Sequence, residues 1–407
     1  MEPLKSSVCV VGAGPAGLVV AHRLLQANVP CVVLERLSSE TLCARARAGM
    51  IEDRTVQALC PSGLARPILE RGTTNGVVEF RVDGAAHIFD YAAWTGGRGH
   101  FVYPQHLLVR AWLDQLIARA GRVHFSTEVR SIEPLGANDE QTSGASVRAR
   151  IATGAQLEIR CQAVVLAAGA GSNLVPNGIQ SHDHTYPFRW LTAMLEMAPL
   201  APRTIYAPHS TGFAAHLRRS PELTRYYLQI PASDSLGDWQ DERIRPALEL
   251  RLGLAAGSLS SGPIIERDVL DLRVRVREPL QRGPVYLAGD AAHLVTPAGG
   301  KGMNLAIHDA LELAEGLIDN FTRGAPERLA EYSRTRLPVI WQTQEFSNSM
   351  LTLHCGGALN VSRGAPDPEA RFAQRLHRAQ VERLFTDPAF ARWFAHRYAG
   401  VDETPPA

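Results

Sequence analysis

Apolar residues along the chain fall into three kinds of run. Val8–Val11, Val164–Leu166 and Val285–Ala288 are short and continuously apolar, and each leads into a loop of glycine and alanine. Runs of that kind predict strands buried on both faces of an α/β sheet. A second kind is helical: an amphipathic stretch follows Gly12, and behind the loop at 289–302 a helix opens near Gly302 with Leu305, Leu311, Leu313, Leu317 and Ile318 toward a core. From 203 to 231 the period becomes that of strands, with Ser220-Pro221-Glu222 as the turn between two of them. A hairpin centred on Glu222 sets position 219 opposite 225 and 217 opposite 227, which puts Leu217, Arg219, Arg225 and Tyr227 on one face. From Pro326 the pattern is helical, broken by HCGGALNVSRGAPDPE, which reads as an inserted loop, and the chain contains no internal repeat or low-complexity tract.

Two strand ends carry the chemistry. VCVVGAGPAGLVVAHRLLQANVPCVVLER is a strand, a glycine turn, a helix and a second strand closed by Glu35. In such a βαβ unit Gly12 permits the tight turn, Gly14 lets a pyrophosphate approach the backbone, Gly17 lets helix and strand pack closely, and Glu35 accepts from ribose hydroxyls. This much points to a dinucleotide and leaves FAD and NAD both open. VYLAGDAAHLVTPAGGKGMNLA places Asp290 at a second strand end, followed by glycines at 299, 300 and 302 whose backbone N–H groups stand beside a helix start. Two nucleotide-type strand ends far apart in one chain favour the longer FAD, which needs a grip at each end.

Size and charge narrow the field. A 407-residue chain with 45% apolar content supports roughly two to three packed units. Its 42 basic and 41 acidic residues are spread along the sequence, leaving no basic patch for nucleic acid. The six cysteines show neither paired CxxC spacing nor the density of a disulfide scaffold. No apolar stretch approaches the roughly 20 residues of a bilayer span. The reading is a soluble cytoplasmic protein with no metal site, no membrane partner and no nucleic-acid partner.

The motifs GAGPAGL, LER, ARAGMIED, VYPQHLLVR, YPFRWL, TIYAPHSTGFA, RYYLQIP, LAGDAAHLVTPAGGKGMNLA and RYAG run through nearly the whole chain. Through them it resembles the single-component (class A) flavoprotein aromatic hydroxylases, most closely the branch that acts on 4-hydroxybenzoate. The fold this implies is α/β: a Rossmann-like FAD-binding domain in three pieces (1–72, 97–180 and 270–325), an inserted mixed β-sheet substrate domain (73–96 and 181–269) and a helical C-terminal region (326–407). The resemblance implies FAD contacts from Glu35, Arg36, Arg47, Gln105 and Asp290, with Gly299, Gly300, Lys301, Gly302, Met303 and Asn304 against the isoalloxazine. It assigns Arg219 and Tyr227 to a substrate carboxylate, with Trp190 beside the substrate. Tyr206 and Tyr398 match a relay that draws off the phenolic proton, and the carbonyl of Pro297 accepts from the substrate hydroxyl. The implied activity is hydroxylation of a 4-hydroxybenzoate-like acid through a flavin C4a-hydroperoxide, with NADPH or NADH and O2, by a homodimer.

Several positions depart from that pattern. Leu217 stands where the family has serine, Ala298 where it has threonine, and Asn75 where a histidine ends the relay; an amide can hold a water but cannot titrate. In VVLAAGAG, Ala168 replaces an aspartate and Gly171 a basic residue associated with NADPH, while Arg273 matches a residue implicated in nucleotide handling. The substitutions keep two alternatives open: hydroxylation of an amino-substituted or otherwise modified benzoate, decarboxylation included, and a catalytically impaired FAD-containing binding protein.

Overall fold

The computed structural model describes residues 2–44, 49–82, 84–135, 144–356 and 368–401. The chain divides into two compact units. The first comprises Met1–Thr73, Phe101–Asp183 and Val274–Glu345; the second comprises Thr74–His100, His184–Arg273 and Phe346–Ala407. The helical region from Pro326 forms no body of its own. Tyr332 and Ile340 bury in the core of the first unit, whereas the chain from Phe346 belongs to the second.

The first unit is built on a sheet ordered Gln281–Arg282, Val285–Leu287, Gln156–Leu166, Leu4–Val11, Cys31–Leu34 and Arg122–His124, with Thr127–Pro134 and Ala145–Ile151 added as antiparallel strands. Val8, Cys9 and Val10 are all at 0% exposure, which explains why the run is unbroken instead of alternating. In the parallel register Val11 lies beside both Leu34 and Leu166, and Leu166 beside Leu287. Four strands therefore end on one edge, and their loops begin with Gly12, Glu35, Ala167 and Ala288. The helices Pro15–Gln26 and Gly302–Arg323 pack on each other over this sheet. The first helix sits close on its own strand and turn because residue 17 is glycine, since a Cβ there would come within 1.9 Å of the Gly12 carbonyl oxygen. Of the residues expected on the inner face of the second helix, Leu305, Leu313, Leu317 and Ile318 are buried and Leu311 packs partly buried against the same core.

In the second unit the strands run in the order Ile264–Glu278, Gln180–Glu196, Leu223–Pro231, Gly212–Arg218, Thr204–His209, Val77–Val82 and Ala85–Asp90. The hairpin register differs from the expected one: Leu217 pairs with Arg225 and Ala215 with Tyr227. The cause is the Ser220 hydroxyl, which accepts from the backbone N–H of Glu222 at 3.2 Å and of Leu223 at 3.0 Å. This tightens the turn and sets Arg219 opposite Leu223, its N–H donating to the Leu223 carbonyl at 2.9 Å as the bond that closes the hairpin. The strand parity survives, so Leu217, Arg225 and Tyr227 still share a face. The helix Pro388–Ala399 starts on Asp387, whose side chain accepts from the N–H groups of Ala389 and Phe390, and stops at Gly400 with φ 64°. Phe390, Phe394 and Tyr398 recur at helical spacing, and Phe394 meets Phe89 of the sheet at 5.6 Å.

Candidate active site

The strand ends of the first unit enclose a cleft of about 510 Å³, lined by Gly12, Gly14, Glu35, Arg36, Gln105, Ala168, Gly171 and Asp290 among others. These eight residues come from five separate stretches of sequence. The buried carboxylate of Glu35 is held by two backbone donors, Ala13 N at 2.8 Å on one oxygen and Leu37 N at 2.9 Å on the other, which leaves lone pairs directed at the cleft for hydroxyl donors. No side chain caps the helix Pro15–Gln26, and no atom lies within 4 Å of where a Cβ on Gly14 would sit. The first-turn N–H groups are therefore available to an anion. This donor set fits the adenosine and pyrophosphate parts of a dinucleotide. Arg47 lies outside the described residues.

The loop before Gly302 is pinned by Glu52, to which the sequence motifs assign no role. Glu52 accepts from Lys301 Nζ at 2.5 Å with both groups buried, and the Glu52 N–H donates to Asn304 Oδ1 at 2.9 Å. Asn304 Nδ2 in turn donates to the carbonyls of Met50 and Gly300 at 3.0 and 2.9 Å. Glu52 sits inside the quoted ARAGMIED, and an acid in an otherwise apolar strand was the available signal. Pro297 is exposed and Ala298 buried; Gly299 and Gly300 take positive φ of 77° and 65°. The helix Gly302–Arg323 again starts without a side-chain cap. The alanine loop has a separate brace, with Arg275 Nη1 donating to the Ala170 carbonyl at 3.1 Å. Arg273 is exposed and paired with Asp271 at 2.7 Å.

In the second unit the Tyr206 and Tyr398 hydroxyls meet at 2.9 Å although 192 residues separate them. Burial raises the pKa of both phenols: Tyr206 is pushed up to about 12, with the Tyr398 hydrogen bond working the other way, and Tyr398 is raised further, with Tyr206 and Tyr91 adding to the effect of burial. Both are neutral hydroxyls at physiological pH, able to hand a proton on without ionising. Burial also lowers the pKa of Arg219, and its hydrogen bond to Tyr227 opposes this. The nearby Glu266 is engaged by Arg225 at 2.9 Å. Among the described residues Arg219 has no ion-pair partner, so its guanidinium is a half-buried cation suited to an incoming anion. Trp190 is buried and edge-on to Tyr227 at 5.5 Å, and Leu217 is half-buried on the same hairpin as Tyr227. The Asn75 side chain is turned onto the start of the next strand, where its Oδ1 accepts from Val77 N at 3.1 Å. Among the described residues no cluster of His, Cys, Asp and Glu could hold a metal, and no helix is long and apolar enough to cross a membrane.

This sheet, glycine turn and cleft are those of a flavoprotein, and the chain belongs to the FAD binding domain family, matched over residues 5–347. Within it, the chain is a class A flavoprotein aromatic hydroxylase. It is 29% identical over 409 residues to the p-hydroxybenzoate hydroxylase of Acinetobacter baylyi, an alignment that covers 98% of this chain and 96% of that protein. To the 6-methylpretetramide 4-monooxygenase of Streptomyces rimosus it is 28% identical over 349 residues, covering 82% of this chain and 59% of that one. The crystal structure of p-nitrophenol 4-monooxygenase PnpA from Pseudomonas putida DLL-E4 superimposes with a TM-score of 0.81 at 22% identity, covering 99% and 100% of the two chains, which shows a shared fold. The names of these relatives differ in the compound acted on, so membership leaves the substrate to be argued from side chains.

Proposed function

We propose that this flavin-dependent hydroxylase acts on a 4-hydroxybenzoate-like aromatic acid with O2 and a reduced nicotinamide nucleotide. The observation that carries the proposal is the pairing, within one unit, of a buried tyrosine hydroxyl chain with a half-buried arginine that has no ion-pair partner among the described residues. A phenol carrying a carboxylate offers one group to each. Arg219 and Tyr227 bind the carboxylate, the arginine through paired N–H donors. Tyr206 receives the phenolic proton and Tyr398 passes it on, so the ring reacts as the electron-rich phenolate. Trp190 excludes water from one side of the ring.

The residues that would hold FAD are Gly12, Gly14, Gly17, Glu35 and Arg36 in the first βαβ unit, with Gln105 and Asp290 in the same cleft. The loop Gly299–Asn304 would lie along the ring system, kept in place by Glu52. When bound, the flavin supplies two electrons to O2 and delivers one oxygen atom to the substrate. Ala168 and Gly171 leave the loop beside the cleft without the acid and base of the family pattern, and we assign a relaxed choice between NADPH and NADH to that loss. Anaerobic reduction by each donor, with and without 4-hydroxybenzoate, measures it. Leu217 removes a hydroxyl donor near the carboxylate, and Ala298 makes room for a substituent on the ring.

Titration of the holoenzyme's flavin fluorescence with substituted benzoates and the matching phenols tests the assignment. Binding that requires the carboxylate supports it, and equal affinity for acids and plain phenols overturns it.

A further inference from the structure

We infer that Thr204 is a third donor to the substrate carboxylate, supplying from the neighbouring strand the hydroxyl that Leu217 lacks; the inference rests on the aromatic-acid reading above. Thr204 opens the motif TIYAPHSTGFA, two residues before Tyr206. The sheet registers fix where it stands. In the antiparallel ladder between Thr204–His209 and Gly212–Arg218, Tyr206 pairs with Ala215 and Ile205 with His216. The next position along sets Thr204 opposite Leu217, and directly opposed residues hold their Cβ atoms about 4.5–5.5 Å apart. The start of the strand is held on its other side too, where Thr204 pairs with Val78 and the preceding Arg203 meets Glu79 at 2.6 Å.

Strand alternation puts Thr204 on the face that carries Tyr206, Leu217, Arg225 and Tyr227. Thr204, Leu217 and Arg225 make one row across three strands, and Tyr206, Ala215 and Tyr227 make the row behind it. Arg219 lies on the far side of the first row, opposite Leu223 at the closed end of the hairpin. The Arg219 and Tyr227 side chains are nevertheless hydrogen-bonded to each other. Coming from either side, they meet over the row of Leu217, and a carboxylate that takes both lies over that row.

An ionised carboxylate has about four acceptor sites. Paired donors from Arg219 and one from Tyr227 leave one of them open. Leu217 offers it only methyl groups, and Arg225 is engaged by Glu266 at 2.9 Å. Thr204 is the hydroxyl of this row. It is half-buried, and among the described residues its hydroxyl has no hydrogen-bond partner, so it can donate to the acid without giving up another bond.

The test is a titration of the FAD-loaded enzyme's flavin fluorescence with 4-hydroxybenzoate and with phenol. Thr204→Val keeps the branched shape and removes the hydroxyl. It is expected to weaken binding of the acid about tenfold, the scale of one hydrogen bond to a charged group, and to leave phenol binding as in the wild type. Thr204→Ser keeps the hydroxyl and should bind the acid as the wild type does. Leu217→Ser adds a hydroxyl at the same edge of the carboxylate, so its gain should be larger in the Thr204→Val background than in the wild-type one. Unchanged acid binding in Thr204→Val, an equal loss for acid and phenol, or equal gains from Leu217→Ser in the two backgrounds would overturn the role of Thr204. The aromatic-acid reading fails separately, on the unaltered enzyme, if that enzyme binds 4-hydroxybenzoate no better than phenol.

Discussion

Arg219 shows how much a single side chain contributes here. Its charge is half-buried, it hydrogen-bonds the Tyr227 side chain, and Glu266, the acid that acts on it, is committed to Arg225. A bound carboxylate would complete an ion pair that is otherwise missing, and truncating one partner of such a pair costs about 2–5 kcal/mol. Arg219→Ala should therefore weaken 4-hydroxybenzoate binding by that amount and leave the affinity for a phenol lacking the acid group nearly unchanged, as read by flavin fluorescence. Leu217 is the converse case. Leu217→Ser restores a hydroxyl donor on the face that carries Tyr227 and should tighten binding of the acid by about 1 kcal/mol, more where the acceptor is charged. No gain would mean that the carboxylate lies away from that position.

Among the elements, the short strand Met50–Glu52 and the start of the helix Gly302–Arg323 depend on one another. Lys301 and Glu52 are an ion pair with almost no solvent contact, and Asn304 ties the same two segments by a second route. Removing one member of such a pair leaves an uncompensated buried charge, at about 3–5 kcal/mol. Glu52→Ala should lower stability by that much in chemical denaturation and loosen flavin retention as well, because the glycine loop loses its anchor. This link was hard to read from the sequence, since the partners are 249 positions apart along the chain. By contrast, the βαβ unit was legible, because the strand, turn, helix and acid follow one another locally and each obeys its own short-range rule. The hairpin was legible in its parity and wrong in its register: alternation identifies a face, while the register hung on the Ser220 hydroxyl in the turn.

For the whole molecule, acid stability is set by histidines buried in the neutral form. Burial lowers His354 from 6.5 to about 3 and His216 to about 4, the latter also accepting a hydrogen bond from Leu200 N at 2.9 Å. His354 lies flat on Phe213 at 4.7 Å, and neither ring nitrogen has a partner among the described residues. Below 6.5 the unfolded chain binds protons that the folded one refuses, so stability falls as pH falls. Each histidine removes about 1.4 kcal/mol per pH unit, from 6.5 down to its folded value. Denaturation at pH 7, 6 and 5 should show that slope in the second unit, and His354→Phe should flatten it. Asp309 in the first unit adds to it at lower pH. Burial works against its ionisation, but His293 and Arg336 outweigh that and hold its pKa below the usual range, so its contribution is lost as pH falls through that value.

The sequence by itself determined the α/β class, the glycine turn with Glu35 and the flavoprotein family, and it picked out the tyrosines and the arginine on which the proposed function rests. Each of these depends on local periodicity or on motifs a few residues long. Only the tertiary structure decided that Asn75 spends its side chain on Val77, that Glu52 anchors a loop far along the chain, and that the rings of Tyr91 and His100 converge on that of Tyr398. Contacts of that kind are made by helices and strands packing across hundreds of residues.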